Sequence, residues 1–300
     1  MISVIIPTYN NDDELIKTVS NVCSQSYKDI EIIIIDDGSS NKTKDKILKL
    51  KNSRIKYYKN PTNLGVSKSR IEGVRKSKGE YIAFIDDDDV WLDEKLSKQS
   101  HIIKKKNLDF VTSNFIINNM IDQTKYEKKL NNLEDNFQYS IVREPGPFFQ
   151  CCLFATPFLD KHINKLDSSA EPSEDWDFFI SISKENPRME NLEENLFQWN
   201  LSKKSQSSND YNEASAIEYI VSKHKEYIIQ NSNKRIMATH YRKIGSMFFY
   251  ANEYNKAKEF YNHAIKCDFL SFKNILFKIV YSLPKSIASK IIYKYTSQIK

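Results

Sequence analysis

Residues 81–91 read Tyr-Ile-Ala-Phe-Ile-Asp-Asp-Asp-Asp-Val-Trp, an apolar run that passes directly into four carboxylates and stops at an aromatic. A short run of aromatic and β-branched residues is the pattern of a strand covered on both faces, as in a parallel sheet. The aspartates then stand where that strand leaves the sheet, the edge at which open α/β sheets bind ligands. Two carboxylates about 4 Å apart repel by about 1 kcal/mol in water and by about 4 kcal/mol at an effective dielectric near 20. Four in succession call for full solvation or for a cation, and a hard divalent ion shared with a phosphate ligand is one solution. The competing reading is a solvated acidic turn that caps a helix starting near Leu92.

The rest of the N-terminal half repeats this arrangement. Residues 2–6 are an apolar run closed by Pro7, and Asp12-Asp13 lead into Leu15, Ile16, Val19 and Val22 at helical spacing. A second apolar run, 31–35, also ends in carboxylates, Asp36-Asp37, followed by Gly38-Ser39. A helix over 43–51, a strand over 54–58 and a helix over 66–77 precede the strand at 81–85. The alternation predicts an α/β fold built on a right-handed βαβ series with a parallel sheet. Because the second and fourth strands both deliver aspartates to one edge, a single shared site is expected there.

Residues 92–106 read as a helix, 110–117 as a strand, 118–144 as a polar excursion over the site and 145–157 as an extended buried segment. Pro172-Ser173-Glu174-Asp175-Trp176-Asp177 opens a helix with Ser173 as N-cap and three carboxylates in the first turn, where the helix dipole favours them. The serine-rich segment 201–212 reads as a linker. Beyond it the pattern is helical. Gly245, Phe248, Ala257, Tyr261 and Ala264 have the spacing of a tetratricopeptide helix pair over about residues 238–271. One such pair cannot bury its own apolar face and needs a helix at 213–230, the first domain or another subunit against it.

Composition excludes several functions. With only 6 glycines a glycine-rich phosphate loop is not expected. The net charge of +6 lies wholly at the end: after Asp268 there is no acidic residue, while Lys273, Lys278, Lys285, Lys290, Lys294 and Lys300 are basic. The remainder is neutral, so a nucleic-acid-binding surface is not expected. Between those lysines stand Ile275, Leu276, Ile279, Val280, Leu283, Ile291 and Ile292. Two readings stay open: peripheral contact of basic C-terminal helices with anionic lipid, or a last helical pair with a solvated basic face. Cys23, Cys151, Cys152 and Cys267 have no paired spacing and read as reduced, cytosolic thiols. The N-terminus lacks the pattern of a signal peptide, and the longest uncharged run, 145–159, holds three prolines and falls short of the ~20 residues of a membrane span.

The features quoted so far belong to a larger set. Ser3-Val-Ile-Ile-Pro-Thr-Tyr-Asn10, Gln25-Ser-Tyr27, the 31–39 run, Asn63-Leu-Gly65 with Arg70, Lys78-Gly-Glu-Tyr81, the 86–91 run and Glu174-Asp175-Trp176 come in an order and spacing that resembles the family 2 glycosyltransferases of GT-A fold, over roughly residues 1–205. The resemblance implies a catalytic domain at 1–205 and an α-helical domain at 206–300. It implies that Pro7 and Tyr9 line a nucleotide-base pocket, and that Asp37 accepts from the imide N–H of uracil or thymine while Asp36 forms a turn or cap. It makes Asp86-Asp87-Asp88 the element that meets metal and sugar, with Asp88 as ligand of a divalent cation, Mn²⁺ or Mg²⁺, and Asp86 or Asp87 toward the ribose or donor sugar. Which of the three ligates the metal stays open. Asp89 is expected to cap the next helix. Arg70 is expected at the donor or, failing that, in a surface ion pair. Asp175 is the expected general base, with Glu174 on the substrate side and Trp176 either against an acceptor sugar or, the commoner fate of such a ring, packed in the core.

Two departures stand out: Ile71 where the family usually carries asparagine, and no clear basic or histidine segment past the Glu-Asp helix, where Gln198, Asn200, Lys203 and Lys204 are the candidates. The implied function is inverting transfer of a sugar from a UDP- or dTDP-linked donor to a glycan, lipid-linked or protein-linked acceptor in bacterial surface glycan synthesis. The implied location is the cytoplasm, free or peripheral at the inner face of the membrane, with oligomerisation through the helical domain open. A sugar nucleotidyltransferase is the enzyme alternative, but it carries a glycine-rich loop where this chain has Pro7-Thr-Tyr-Asn-Asn-Asp12. A catalytically dead domain in a helical-repeat interaction protein is the other, and intact Asp86–Asp89 and Asp175 stand against it.

Overall fold

The computed structural model describes residues 1–40, 42–130, 133, 136–202, 209–280, 283 and 287–288. Lys203, Lys204, Lys285, Lys290, Ile291, Ile292, Lys294 and Lys300 lie outside the described residues. The chain divides into two compact units, one of Met1–Ile141, Pro145–Ser168 and Glu174–Lys203, the other of Val142–Glu144, Ser169–Ser173 and Lys204–Lys300.

The first unit runs β1 (Ile2–Thr8), α1 (Asp12–Ser24), β2 (Ile30–Asp36), α2 (Lys42–Lys49), β3 (Ile55–Lys59), α3 (Val66–Lys76), β4 (Tyr81–Phe84), β5 (Val90–Trp91), α4 (Lys95–Lys106), β6 (Phe110–Asn119), β7 (Thr124–Lys128), α5 (Phe137–Arg143), β8 (Leu153–Ala155), α6 (Thr156–His162), α7 (Glu174–Ser183) and β9 (Met189–Leu201). The strands form one mixed sheet in the order β3-β2-β1-β4-β8-β6-β9-β5, with β7 paired to β6. β1 is parallel to both β2 and β4, and β2 to β3. β8 runs antiparallel to β4 and β6, while β9 is parallel to β6. β1, β2 and β4 are buried along their whole length, so each reads as a mostly apolar run rather than an alternating one, with Ser3 and Glu31 the buried polar residues near the starts of β1 and β2. The chain leaves β1 toward β2 and β3, then crosses back to place β4 on the other side. The loops after β1 and β4 therefore part at a switch point, where a crevice opens at the carboxyl ends of the strands.

Three expectations are corrected here, and one strand had not been read from the sequence. α4 begins at Lys95 rather than Leu92, because Val90 and Trp91 pair with Gln198 and Phe197 of β9. The 118–144 excursion is partly regular: β6 continues to Asn119, a turn in which Asn119 Oδ1 accepts from Ile121 N at 3.0 Å leads into β7, and α5 follows. Residues 131, 132, 134 and 135 of that stretch lie outside the described residues. The longest strand, β9, falls in a stretch without clear alternation, because Leu192 pairs with Ser113 and Asn195 with Asn114, leaving Glu193-Glu194 as a bulge that breaks the period of two. The segment 201–212 is not all linker: Leu201 ends β9, and Asn209 caps a helix from Asp210, its side chain accepting from Tyr211 N and Asn212 N.

An aromatic cluster seats the start of α7. The Phe149 ring lies 5.0 Å from Phe84 and 4.9 Å from Phe178, and Phe154 stacks on Phe179 at 6.2 Å. Buried aromatic pairs of this geometry add roughly 0.5–1.5 kcal/mol each beyond their area, and they pin the helix whose first turn carries Glu174 and Asp175.

The second unit continues with α8 (Asp210–Lys223), α9 (Lys225–Gln230), α10 (Lys234–Tyr250), α11 (Tyr254–Cys267) and α12 (Phe272–Val280). The expected single helix over 213–230 is interrupted at His224. α10 and α11 approach closely at Gly245, where a Cβ would sit 2.9 Å from the Tyr261 ring. α8 and α12 pack on this pair and cover its apolar face. No helix among the described residues is long and apolar enough to cross a membrane.

Candidate active site

The carboxyl ends of β1, β2 and β4 bring the sequence-predicted residues to one edge. Tyr9 lies just past β1, 50 % exposed, with its ring in solvent. Pro7 does not follow the strand but lies inside it, buried and in register with Ile35. After β2 the chain turns at Gly38, whose φ of +86° and whose Cβ position, 2.8 Å from the Thr62 carbonyl carbon, exclude other residues. Asp36 holds this turn: one oxygen accepts from Ser39 N at 2.7 Å and the other from the Tyr57 hydroxyl. Asp37 also holds backbone, which corrects the expectation that only Asp36 would. Its carboxylate accepts from Asn60 Nδ2 at 2.7 Å, from Leu64 N at 2.9 Å and from Gly65 N at 2.8 Å, fixing the loop that opens α3.

The four aspartates after β4 have four different surroundings. Asp86 accepts from Arg70 Nη2 at 2.9 Å and from the Gln150 amide. Asp87 accepts from Thr8 Oγ1 at 2.5 Å and Asn11 Nδ2 at 2.8 Å, yet burial pushes its carboxyl up to about 6 against these bonds. Asp88 is half-buried and pairs with no basic side chain among the described residues; burial, then Asp86 and Asp87, push it up to about 7. Asp89 is buried and held well above the usual carboxylate range by burial and its neighbours. It does not cap α4: Asp89 Oδ1 accepts from Asn200 N at 2.9 Å, and Asn200 Nδ2 donates to the Asp88 carbonyl at 2.7 Å. The acidic loop is thereby stitched to β9.

Arg70 is 2 % exposed, which corrects the expectation of a surface ion pair: its ion pairs are buried. Its Nη2 holds Asp86, its Nη1 lies 2.5 Å from Glu174 Oε1 and 3.3 Å from Asp175 Oδ1, and its guanidinium carbon lies 5.1 Å from the centre of the Phe149 ring. Burial works against its charge, but Asp86, Asp175 and Glu174 outweigh it and hold the guanidinium more firmly protonated than usual. Glu174, expected at the substrate, is turned to Arg70 instead. Asp175 Oδ2 accepts from Phe149 N at 2.9 Å, and burial pushes its carboxyl up to about 7, Arg70 opposing and Glu174 and Asp86 adding to the shift. Trp176 takes the core alternative, its ring buried and its Nε1 donating to the Ile141 carbonyl at 2.7 Å.

The donor set is all oxygen and carries more negative charge than local cations neutralise, which fits a hard divalent ion at Asp88 and Asp87. Among the described residues no three metal-binding side chains converge as a complete cage.

Several contacts were not read from the sequence. Thr8 and Asn11 on Asp87, Gln150 on Asp86, the Phe149 amide on Asp175 and Asn200 on the acidic loop all join elements far apart in the chain. Of the candidates for the closing segment, Gln198 and Asn200 bond to each other at 2.9 Å, and Asn200 serves the loop rather than a ligand. The Thr8 hydroxyl, at the end of β1 within the 3–10 motif, was the one with a local signal.

The chain resembles proteins of known name. It is 43 % identical over 117 residues to UDP-Glc:alpha-D-GlcNAc-diphosphoundecaprenol beta-1,3-glucosyltransferase WfaP of Escherichia coli, a match covering 39 % of this chain and 47 % of that one. It is 36 % identical over 120 residues to the enzyme of the same description, WfgD, from the same organism, covering 40 % and 47 %. The chain thus spans about half the length of these curated relatives. Among solved structures, S. aureus TarS in complex with UDP-GlcNAc superposes with a TM-score of 0.69 at 16 % identity, covering 100 % of this chain and 92 % of that one. A mannosyltransferase of Pyrobaculum calidifontis in complex with GDP-Man and Mn2+ superposes at 0.57 with 12 % identity, covering 97 % and 86 %. These likenesses establish the GT-A fold, with an all-helical C-terminal region. The family model described as Glycosyl transferase family 2 matches residues 3–162, more than half of the 300, and the chain belongs to that family of glycosyltransferases.

Proposed function

We propose that this glycosyltransferase moves a sugar, with inversion, from a UDP- or dTDP-linked donor to a hydroxyl of a glycan acceptor carried on a lipid diphosphate, in the assembly of a bacterial surface glycan. The observation that carries the reading is the shared seating of the acidic loop and of Asp175 on Arg70. It couples a place for a charged diphosphate to a carboxyl pushed up to about 7, the range of a working general base. The names of WfaP and WfgD, both UDP-Glc enzymes with diphosphoundecaprenol acceptors, support the donor and acceptor classes.

In this reading Tyr9 and Pro7 border the base and Asp37 orders the loop beside it. Asp86 and Asp87 face the ribose or donor sugar, and Asp88, with Asp87 near it, would hold Mn²⁺ or Mg²⁺. A bound cation of this kind supplies Lewis-acid neutralisation of the charge gathering on the diphosphate. Asp175 takes the proton of the acceptor hydroxyl, whose oxygen bonds to the anomeric carbon as the carbon–oxygen bond to the diphosphate breaks and its electron pair leaves with the nucleoside diphosphate. Attack from the face opposite the leaving group inverts the centre. Arg70 and Glu174 position these groups without touching substrate. Catalysis is assigned to residues 1–205, with 206–300 as a helical companion, on the cytoplasmic side where nucleotide sugars are present.

A screen of nucleotide sugars for divalent-ion-dependent donor hydrolysis and transfer tests the reading. One donor should stand out, and Asp175→Asn should bind it normally while losing 10²–10⁴-fold in transfer, roughly 3–5 kcal/mol. Normal transfer by that variant would remove Asp175 as the base. Pyrophosphate release from a nucleoside triphosphate and a sugar phosphate would replace the reading with a nucleotidyltransferase.

A further inference from the structure

The turn after α11 and the outer side of α12 hold large apolar side chains in solvent. Phe269, Leu270 and Phe272 are 68 %, 79 % and 71 % exposed, and Ile275 and Ile279 are exposed as well. Phe272, Ile275 and Ile279 recur at helical spacing on one face of α12. The other face is already occupied: Phe277 lies 5.5 Å from the Tyr261 ring, Asn274 accepts from Arg242 Nη1 at 2.6 Å and donates to the Asp268 carbonyl at 2.7 Å, and Val280 is buried. α12 is thus apolar on two sides with one of them covered, whereas a helix apolar all round is ordinarily buried on every side. Scattered exposed apolar residues need no explanation, but five within residues 269–279 do.

Charge narrows what can cover this ridge. From Phe269 onward the sequence has no Asp or Glu and six lysines, which account for the whole net charge of +6. Lys273, the described one nearest the ridge, is exposed beside Phe272. A second copy would bring like charge against like charge. A surface that is anionic outside and apolar beneath complements both properties at once.

We propose that the ridge docks on an anionic lipid bilayer, with Phe269, Leu270, Phe272, Ile275 and Ile279 entering the boundary between headgroups and acyl chains and Lys273 beside them meeting the headgroups. The inference rests on the second unit alone.

Co-sedimentation of the full chain with phosphatidylcholine vesicles, with and without phosphatidylglycerol, tests it without any activity readout. Binding should require phosphatidylglycerol and weaken as salt is raised. Replacing Phe269, Leu270 and Phe272 together by Ser should lower vesicle affinity by more than about tenfold with helicity unchanged. Lys273→Glu alone should lower it by about fivefold. Absence of binding by the unaltered chain, or equal binding to neutral vesicles, would overturn the proposal. So would a dimer in light scattering that the Ser variant dissociates, which would assign the ridge to a second copy. A chain that binds vesicles but transfers no sugar would leave this proposal standing and sink the functional reading instead.

Discussion

Asp86, at the end of β4, and Asp175, in the first turn of α7, are held by one guanidinium: Arg70 Nη2 lies 2.9 Å from the first and Nη1 3.3 Å from the second. The loop proposed to face the diphosphate and the carboxyl proposed to take the proton therefore move as one body. Removing one member of a buried ion network leaves its partners charged and unpaired, at a cost of about 3–5 kcal/mol. Arg70→Ala should lose that much stability in urea unfolding and should lose transfer with it. Arg70→Lys keeps the charge but not the fork, so it should stay folded, bind nucleotide and transfer slowly. An Arg70→Ala protein with near-normal stability would show that the network is not what holds the two loops.

Asp175 sets an expected pH dependence. Burial raises its carboxyl to about 7, and the base is active only when deprotonated. Transfer should therefore rise as pH increases through about 7 and level off above it, with the acid limb missing from the residual activity of Asp175→Asn. Stability runs the other way for this group. Its folded value lies above that of an ordinary aspartate, about 3.9, so the folded state holds the extra proton between about 4 and 7, and the contribution is lost as pH rises through that interval. A flat rate profile between pH 5 and 8 would count against Asp175 as the titrating base.

Asn200 joins β9 to the acidic loop through its side-chain amide on the Asp88 carbonyl and its backbone N–H on Asp89. Asn200→Ala keeps the backbone bond and removes the other. A hydrogen bond of this kind contributes about 1 kcal/mol, so the Mn²⁺ concentration for half-maximal UDP binding should rise about fivefold. Calorimetric titration with Mn²⁺ and UDP reads this directly, and an unchanged midpoint would dismiss the clamp.

Trp176 distinguishes core packing from acceptor contact. Trp176→Phe removes the bond to the Ile141 carbonyl and should cost about 0.5–1.5 kcal/mol of stability while leaving the acceptor KM unchanged. A raised KM at unaltered stability would return this residue to the acceptor side.

Periodicity and local chemistry made much of the first unit legible. The apolar runs ending in Asp36-Asp37 and Asp86-Asp87 announced parallel strands and a shared edge, because a strand buried on both faces has no polar positions until it leaves the sheet. The turn at Gly38 and the acidic first turn of α7 were also written locally. What a residue does at that edge was not, since it depends on partners brought from elsewhere in the chain. Arg70 could be read as a donor contact or a surface ion pair, and only the approach of α7 shows it buried among carboxylates. Trp176 had a sugar-facing and a core reading, and the Ile141 carbonyl that takes its N–H selects the core. The backbone that Asp37 holds belongs to a loop some 27 residues further on.

β9 was hidden for a different reason: a two-residue bulge at Glu193-Glu194 breaks the alternation by which a strand is read, and only pairing with β6 restores its register. The last lysines and isoleucines declared a basic, apolar ending without saying which side was covered. By itself the sequence determined the alternation of the first strands and helices, the family and the carboxylates at the edge, all properties of near neighbours in the chain. The tertiary structure alone decided which carboxylates share the Arg70 guanidinium, which aromatic rings are buried and which face of α12 is left in water, because each depends on contacts between residues far apart in sequence.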